Sequence, residues 1–134
     1  MILVSSCLIG ICCRYDGLSR PNKEIINLAQ YAHVIPVCPE QLGGLPTPRA
    51  ASYIAGGDGF DVIAGKAKVL TVRQKTDVTK NFLQGARECE RLVKLFDIKR
   101  AIVKSRSPSC GLRPQVGVTT AALILLGVDV SEAG

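Results

Sequence analysis

Six cysteines lie along this chain, and three of them, Cys7, Cys38 and Cys110, each follow a short apolar run with strand character. Cys7 closes the run VSSC, Cys38 opens CPE behind VIPV, and Cys110 sits in KSRSPSCG behind AIV. Each is flanked by Gly, Pro or Ser, residues that turn the backbone, and each has a charged or hydroxyl residue nearby. Thiolates are soft ligands, suited to zinc or to iron–sulfur chemistry rather than to harder ions. Three are one short of the usual four-ligand structural site, and match a centre with one open coordination position. The pattern alone does not separate zinc from iron–sulfur.

The remaining cysteines read differently. Cys89 falls on the apolar face of a helical repeat and is expected to pack as a small hydrophobe. Cys12 and Cys13 are adjacent, so their side chains diverge and at most one can join Cys7; Cys13 is the better candidate, in a supporting part. The lone histidine, His33, lies at the start of a predicted strand, away from the strand ends that carry the three cysteines.

The elements that must position these thiols follow from periodicity. Strands are predicted over residues 1–6, 33–37, 98–104 and 128–130, with further short strands and Gly turns within 53–72. A helix starts at Pro21-Asn22, with Ile25, Ile26, Leu28, Ala29 and Ala32 facing inward. Asp77 is expected to cap a long helix carrying Val78, Phe82, Ala86, Cys89, Val93 and Phe96 on one face. An almost wholly apolar helix over 118–126 ends at Gly127. The segment QLGGLPTPR reads as an ordered loop. Strand–helix alternation predicts residues 1–134 as a single α/β domain: a three-layer, mainly parallel, Rossmann-like sheet with helices on both faces and a small β-hairpin insertion. Such sheets bind ligands beyond the carboxyl ends of their strands, where strand order reverses. Cys7, Cys38 and Cys110 are all predicted at that edge.

Composition narrows the function classes. Aromatics make up 4% and Trp is absent, which disfavours a base-stacking surface. The net charge of +6 favours anionic partners, yet acidic residues are interleaved throughout, so nucleic-acid binding is possible but not favoured. The apolar start is too short for a signal peptide, and the longest apolar run, 119–126, cannot span a bilayer. A cysteine-rich chain with these features is expected to be cytoplasmic, with its thiols in metal or redox service rather than in disulfides.

Taken together, VSSCLIG (4–10), CRYDG (13–17), VCPEQLGGLPTPR (37–49), DVT (77–79) and KSRSPSCG (104–111) resemble the thiouracil desulfidase family over essentially the whole chain, in order and spacing. The resemblance implies a [4Fe-4S] cluster held by three cysteines, here Cys7, Cys38 and Cys110. Its fourth iron is left free for the sulfur of a thiolated pyrimidine. The acid/base glutamate of the family is matched by Glu40, and its catalytic serine by one in 105–109, with Ser105 the first choice. The family's longer segment after the SPSCG block is here shortened to Gly111-Leu112-Arg113-Pro114-Gln115. Cys12 stands where the family does not typically carry cysteine.

Around these positions Ser107 and Ser109 offer hydroxyls, and Arg14, Arg49 and Arg106 offer fork-shaped donors to a substrate carbonyl or phosphate. Asp16 is the second choice for the acid/base group. The expected activity is therefore a non-redox, hydrolase-type desulfidation of a small thiolated pyrimidine, as base or nucleotide, at a [4Fe-4S] cluster. The competing reading is an iron–sulfur or zinc protein without a substrate of its own.

Overall fold

Val- and Ile-rich runs supply a parallel sheet, and the helices between them return the chain to its starting edge. The computed structural model describes residues 1–134. The chain runs β1 (Ile2–Ser5), α1 (Lys23–Ala29), β2 (Val34–Val37), α2 (Pro39–Leu42), β3 (Ser52–Ala55), α3 (Gly59–Ile63), β4 (Lys68–Thr71), α4 (Thr79–Phe96), β5 (Arg100–Lys104), α5 (Val118–Leu125) and β6 (Asp129–Ala133). Four strands form one parallel sheet in the order β2-β1-β5-β6, and β3 pairs antiparallel with β4 apart from it. The expected α/β architecture is borne out.

Side chains alternate across the sheet with a period of two. Leu3, Ala101 and Val103 pack against Cys89 and Val93 of α4 and Leu123 of α5. Ile2, Val4 and Ile102 face the other way, toward Ile25 of α1. From β1 the chain crosses to one side for β2 and later to the other side for β5. Right-handed crossovers then require α1 on one face and α4 with α5 on the other. The reversal of strand order at β1 opens a crevice above the carboxyl ends of β1, β2 and β5.

The β3–α3–β4 segment forms its own apolar cluster against α4 and α5, through Ile54, Val62, Val69, Phe82, Val118 and Ala122. Helix α5 is thus covered on two sides from Val118 to Leu123, while Ile124 and Leu125 at its end are exposed.

Several elements differ from their sequence reading. The Gly-rich stretch within 53–72 holds the short helix α3 as well as strands, because Asp58 and Asp61 cap each other's backbone N–H in a reciprocal pair. QLGGLPTPR is not all loop: its first residues complete α2, begun by Pro39 in the first helical position. Helix α4 is capped one residue later than expected; Asp77 Oδ1 instead accepts the N–H of Thr79 at 2.9 Å. Only Ile25 is buried among the helical residues of α1, so its inward face is narrower than the pattern implied. β6 extends to Ala133 and matches the full length of β5.

Glycines at two positions bring α2 onto α4. A Cβ on Gly43 would collide with the backbone of Asn81, and a Cβ on Gly85 with the backbone of Pro39. Asn81 Nδ2 fastens the approach by donating to Gly43 O at 2.9 Å. Gly85→Ala should gain about 1 kcal/mol of helix propensity but lose more to a clash that no flexible side chain can relieve. The expected net result is a loss of about 1 kcal/mol or more, read as a lower urea midpoint at constant slope. An unchanged or raised midpoint would show that the helices are free to separate.

Candidate active site

Three strand ends deliver three thiols. A 3-10 turn, Ser6–Ile9, follows β1 directly and carries Cys7; Gly10 then adopts a left-handed φ of 98°. The following loop folds back over it, with Arg20 N–H donating to Cys7 O at 2.9 Å and Asn22 N–H to Leu8 O at 2.8 Å. Ser5 Oγ accepts the Lys104 N–H at 2.9 Å, joining the carboxyl ends of β1 and β5. Cys38 is the residue preceding α2. Cys110 lies in a turn closed by Gly111 N–H on Ser107 O at 2.7 Å. In this turn Ser107 Oγ accepts the N–H groups of Ser109 and Cys110 at 3.2 and 3.1 Å.

That turn also caps α5. Pro108 O accepts from Val118 N–H, and Ser109 O from Thr119 and Thr120 N–H, so the first-turn donors of the helix are satisfied by the loop holding Cys110. Gly117 leaves no room for a side chain against Ser109 and Cys110. Thr120 Oγ1 completes the anchorage with a 2.6 Å bond to Cys110 O.

All ten residues singled out from sequence, Cys7, Cys38, Cys110, Glu40, Ser105, Arg14, Arg49, Arg106, Ser107 and Ser109, line one cavity of about 650 Å³. Cys89 is fully buried in α4 away from that wall, Cys12 is exposed, and His33 is exposed at the opposite edge. Sequence reasoning missed three residues on the wall, Lys104, Arg20 and Tyr15, while Cys13, the member of the adjacent pair expected to join Cys7, lines it too. No three His, Cys, Asp or Glu side chains close on one point as around a single metal ion. The three thiols line the same cavity, and as soft donors they suit zinc or an iron–sulfur group.

Electrostatics divide the thiols. Cys38 is pulled down to about 6, first by a hydrogen bond from the Cys13 thiol and then by the Gln41 N–H and the Arg49 charge, against the cost of burial. Cys7 is lowered as well, first by Cys13 and then by the Lys104 charge. Cys13 moves in the opposite direction, held protonated by hydrogen bonds to Cys38 and Cys7. Burial pushes Cys110 up to about 12.

Glu40 is the only carboxylate side chain on the cavity wall. Its Oε1 accepts Arg49 Nε at 3.0 Å and its Oε2 accepts the Ser109 hydroxyl at 2.9 Å. Ser109 Oγ is in turn 3.0 Å from Ser107 Oγ. The serine on Glu40 is therefore Ser109; Ser105 lines the same cavity, but its carbonyl and hydroxyl face Lys104 Nζ at 2.8 and 3.4 Å. Asp16 is turned away, accepting the Leu18 N–H at 3.0 Å and lying 3.6 Å from Arg14.

Arg49 faces the cavity, yet its fork is spent on the protein. Beyond Glu40 it donates to Pro46 O, Thr47 Oγ1, and Cys13 O at 2.9 Å, and reaches Cys38 Sγ at 3.7 Å. Its side chain is 5% exposed. With Glu40 paired to Arg49 and Arg14 beside Asp16, the wall keeps Arg20, Lys104 and Arg106 without a carboxylate partner, which adds positive charge to the cavity. Burial and the neighbouring arginines lower the pKa of Lys104. Arg106 holds a left-handed φ of 59°, uncommon for a residue with a side chain.

Comparison with known proteins bears on family and fold. The family model for 2-thiouracil desulfurase matches residues 2–130. The chain is 43% identical over 111 residues to the uncharacterized protein YbbK of Bacillus subtilis strain 168, covering 83% of this chain and 73% of that protein. It also matches the solved structure of TudS, a [4Fe-4S]-dependent thiouracil desulfidase, with a TM-score of 0.84 and 33% identity over 98% of this chain and 89% of the other.

Proposed function

The chain belongs to the 2-thiouracil desulfurase family, and from that premise we propose that it is a thiouracil desulfidase working at a [4Fe-4S] cluster held by Cys7, Cys38 and Cys110. The observation that carries the proposal is the convergence of three thiols, delivered by three separate strand ends, with a single glutamate in one cavity. The donors fit the group: all three are soft and line one cavity.

Exchanging C=S for C=O consumes one water and releases one hydrogen sulfide, so no net electrons are needed. An iron without a protein ligand would supply a soft Lewis acid for the departing sulfur. The rest falls to the chain. Glu40 takes a proton from the attacking water, its rotamer fixed by Arg49 on one oxygen. Ser109 and Ser107 line up behind the other oxygen as a route by which that proton moves on. Arg20 and Arg106 supply donors for a ring carbonyl or a phosphate, with Arg14, beside Asp16, and Lys104, on Ser105, adding positive charge. Arg49, whose donors are engaged, acts by positioning Glu40 rather than by touching substrate. The reaction is hydrolytic in type, and the substrate is a thiolated pyrimidine base or nucleotide.

The expected result is that protein reconstituted anaerobically with iron and sulfide releases sulfide from 2-thiouracil or 4-thiouracil and forms uracil with no reductant present. A strict requirement for an electron donor would remove the Lewis-acid mechanism. A stable cluster that never turns over a thiopyrimidine would leave a cluster protein without its own substrate.

A further inference from the structure

The guanidinium of Arg49 touches a metal-ligand sulfur as well as the acid/base carboxylate. A guanidinium presents five N–H groups in one planar fork, and each has an acceptor in this protein. Nε donates to Glu40 Oε1 at 3.0 Å. Nη1 donates to Pro46 O at 3.2 Å and Thr47 Oγ1 at 3.0 Å. Nη2 donates to Cys13 O at 2.9 Å and to Cys38 Sγ at 3.7 Å. The surroundings hold the fork in place: Arg49 N–H donates to Tyr15 O at 2.8 Å, and Gln41 Nε2 donates to Thr47 Oγ1 at 2.8 Å. With the side chain 5% exposed, water has little part in fixing it. One rigid group thus joins Glu40, at the start of α2, to Cys38, the residue preceding that helix.

We propose that Arg49 is a positioning residue for the metal centre as well as for Glu40, donating Nη2–H to the Cys38 sulfur and so tuning the cluster. The proposal rests on the cluster ligation put forward above. An N–H bond from a charged donor to a ligand sulfur draws electron density away from the metal and stabilises the reduced, more negative state. Arg49 therefore raises the reduction potential of the cluster while holding the rotamer of Glu40. Lysine is no substitute, because its ammonium is a point charge without the planar fork that serves carboxylate and sulfur together.

The test separates the sulfur contact from the carboxylate contact. Arg49→Met and Arg49→Lys are each made in the wild type and in Glu40→Gln, where no carboxylate is left unpaired. All proteins are reconstituted anaerobically and measured for iron and labile sulfide, for cluster midpoint potential, and for kcat and KM on 2-thiouracil. A full cluster is expected throughout. Arg49→Met should move the midpoint to more negative values even in Glu40→Gln, because the Cys38 contact does not run through Glu40. Arg49→Lys should return only part of that shift. In the wild-type background Arg49→Met should lower kcat by about 10²-fold with little change in KM, the mark of a misplaced base.

A midpoint that Arg49→Met leaves unchanged in Glu40→Gln would overturn the proposal and confine Arg49 to Glu40. Full recovery of the midpoint by lysine would also overturn it, reducing Arg49 to a nearby charge. If Arg49→Met fails to fold beside an unpaired Glu40, the Glu40→Gln background still decides the matter. Absence of any [4Fe-4S] signal in the wild type would instead overturn the ligation on which the proposal rests.

Discussion

Replacing Cys7, Cys38 or Cys110 by alanine, one at a time, is expected to abolish the visible absorption of the reconstituted cluster and with it all sulfide release. Cys89→Ala should keep both. The contrast follows from geometry rather than from burial, since Cys7, Cys89 and Cys110 are all buried. Cys89 packs among Leu3, Val93 and Leu123 between α4 and the sheet, so its loss costs packing, on the order of 1 kcal/mol. Cys7, Cys38 and Cys110 stand on the cavity wall, and a three-ligand centre has no spare donor. Iron and labile-sulfide analysis of each variant, alongside its thermal midpoint, separates loss of the group from loss of the fold. A Cys110→Ala protein that still bound a full cluster would defeat the assignment.

The strand-end thiols were legible because two periodicities agree there: a β-branched run marks each strand, and a Gly, Pro or Ser turn marks its carboxyl end. A parallel sheet then gathers those ends at one edge whatever the details of the loops. What remained hidden depends on loop paths. Arg20 comes to the cavity because Gly10 turns left-handed and the Arg20 N–H ties the returning loop to Cys7 O, neither of which is a periodic signal. Lys104 reads as an ordinary strand residue, although its ammonium bends back to Ser105 O at the cavity wall.

The choice among serines was equally hidden. Ser105, Ser107 and Ser109 are spaced alike in sequence. The tight turn closed on Ser107 O carries Ser109, not Ser105, to Glu40. Helices α2 and α3 escaped notice because each is too short to show a period, and only their first-turn chemistry, Pro39 in one and the Asp58–Asp61 pair in the other, announces them.

Glu40→Gln is expected to keep the cluster but lower turnover by about 10²–10⁴-fold, the usual worth of a general base. The substitution is not free of structural cost. Glu40 and Arg49 form an ion pair whose side chains are 12% and 5% exposed, and removing one charge from a pair so enclosed can cost about 3–5 kcal/mol. Glutamine keeps an oxygen for Arg49 Nε, and Arg49 keeps its bonds to Thr47 Oγ1 and Cys13 O, so the expected loss falls well below that limit. Cluster content and thermal midpoint measured with turnover will show whether activity falls for chemical or structural reasons. Ser109→Ala is the companion variant: it removes the hydroxyl on Oε2 while leaving the carboxylate and Arg49 in place, and should reduce turnover less than Glu40→Gln. A glutamine variant with a full cluster and near-normal turnover would remove Glu40 from the mechanism. No other carboxylate side chain lines the cavity, and Asp16 is held beside Arg14 and the Leu18 N–H, so no neighbouring acidic side chain stands ready to replace it. Proton transfer would then have to run through the serine hydroxyls or through water itself.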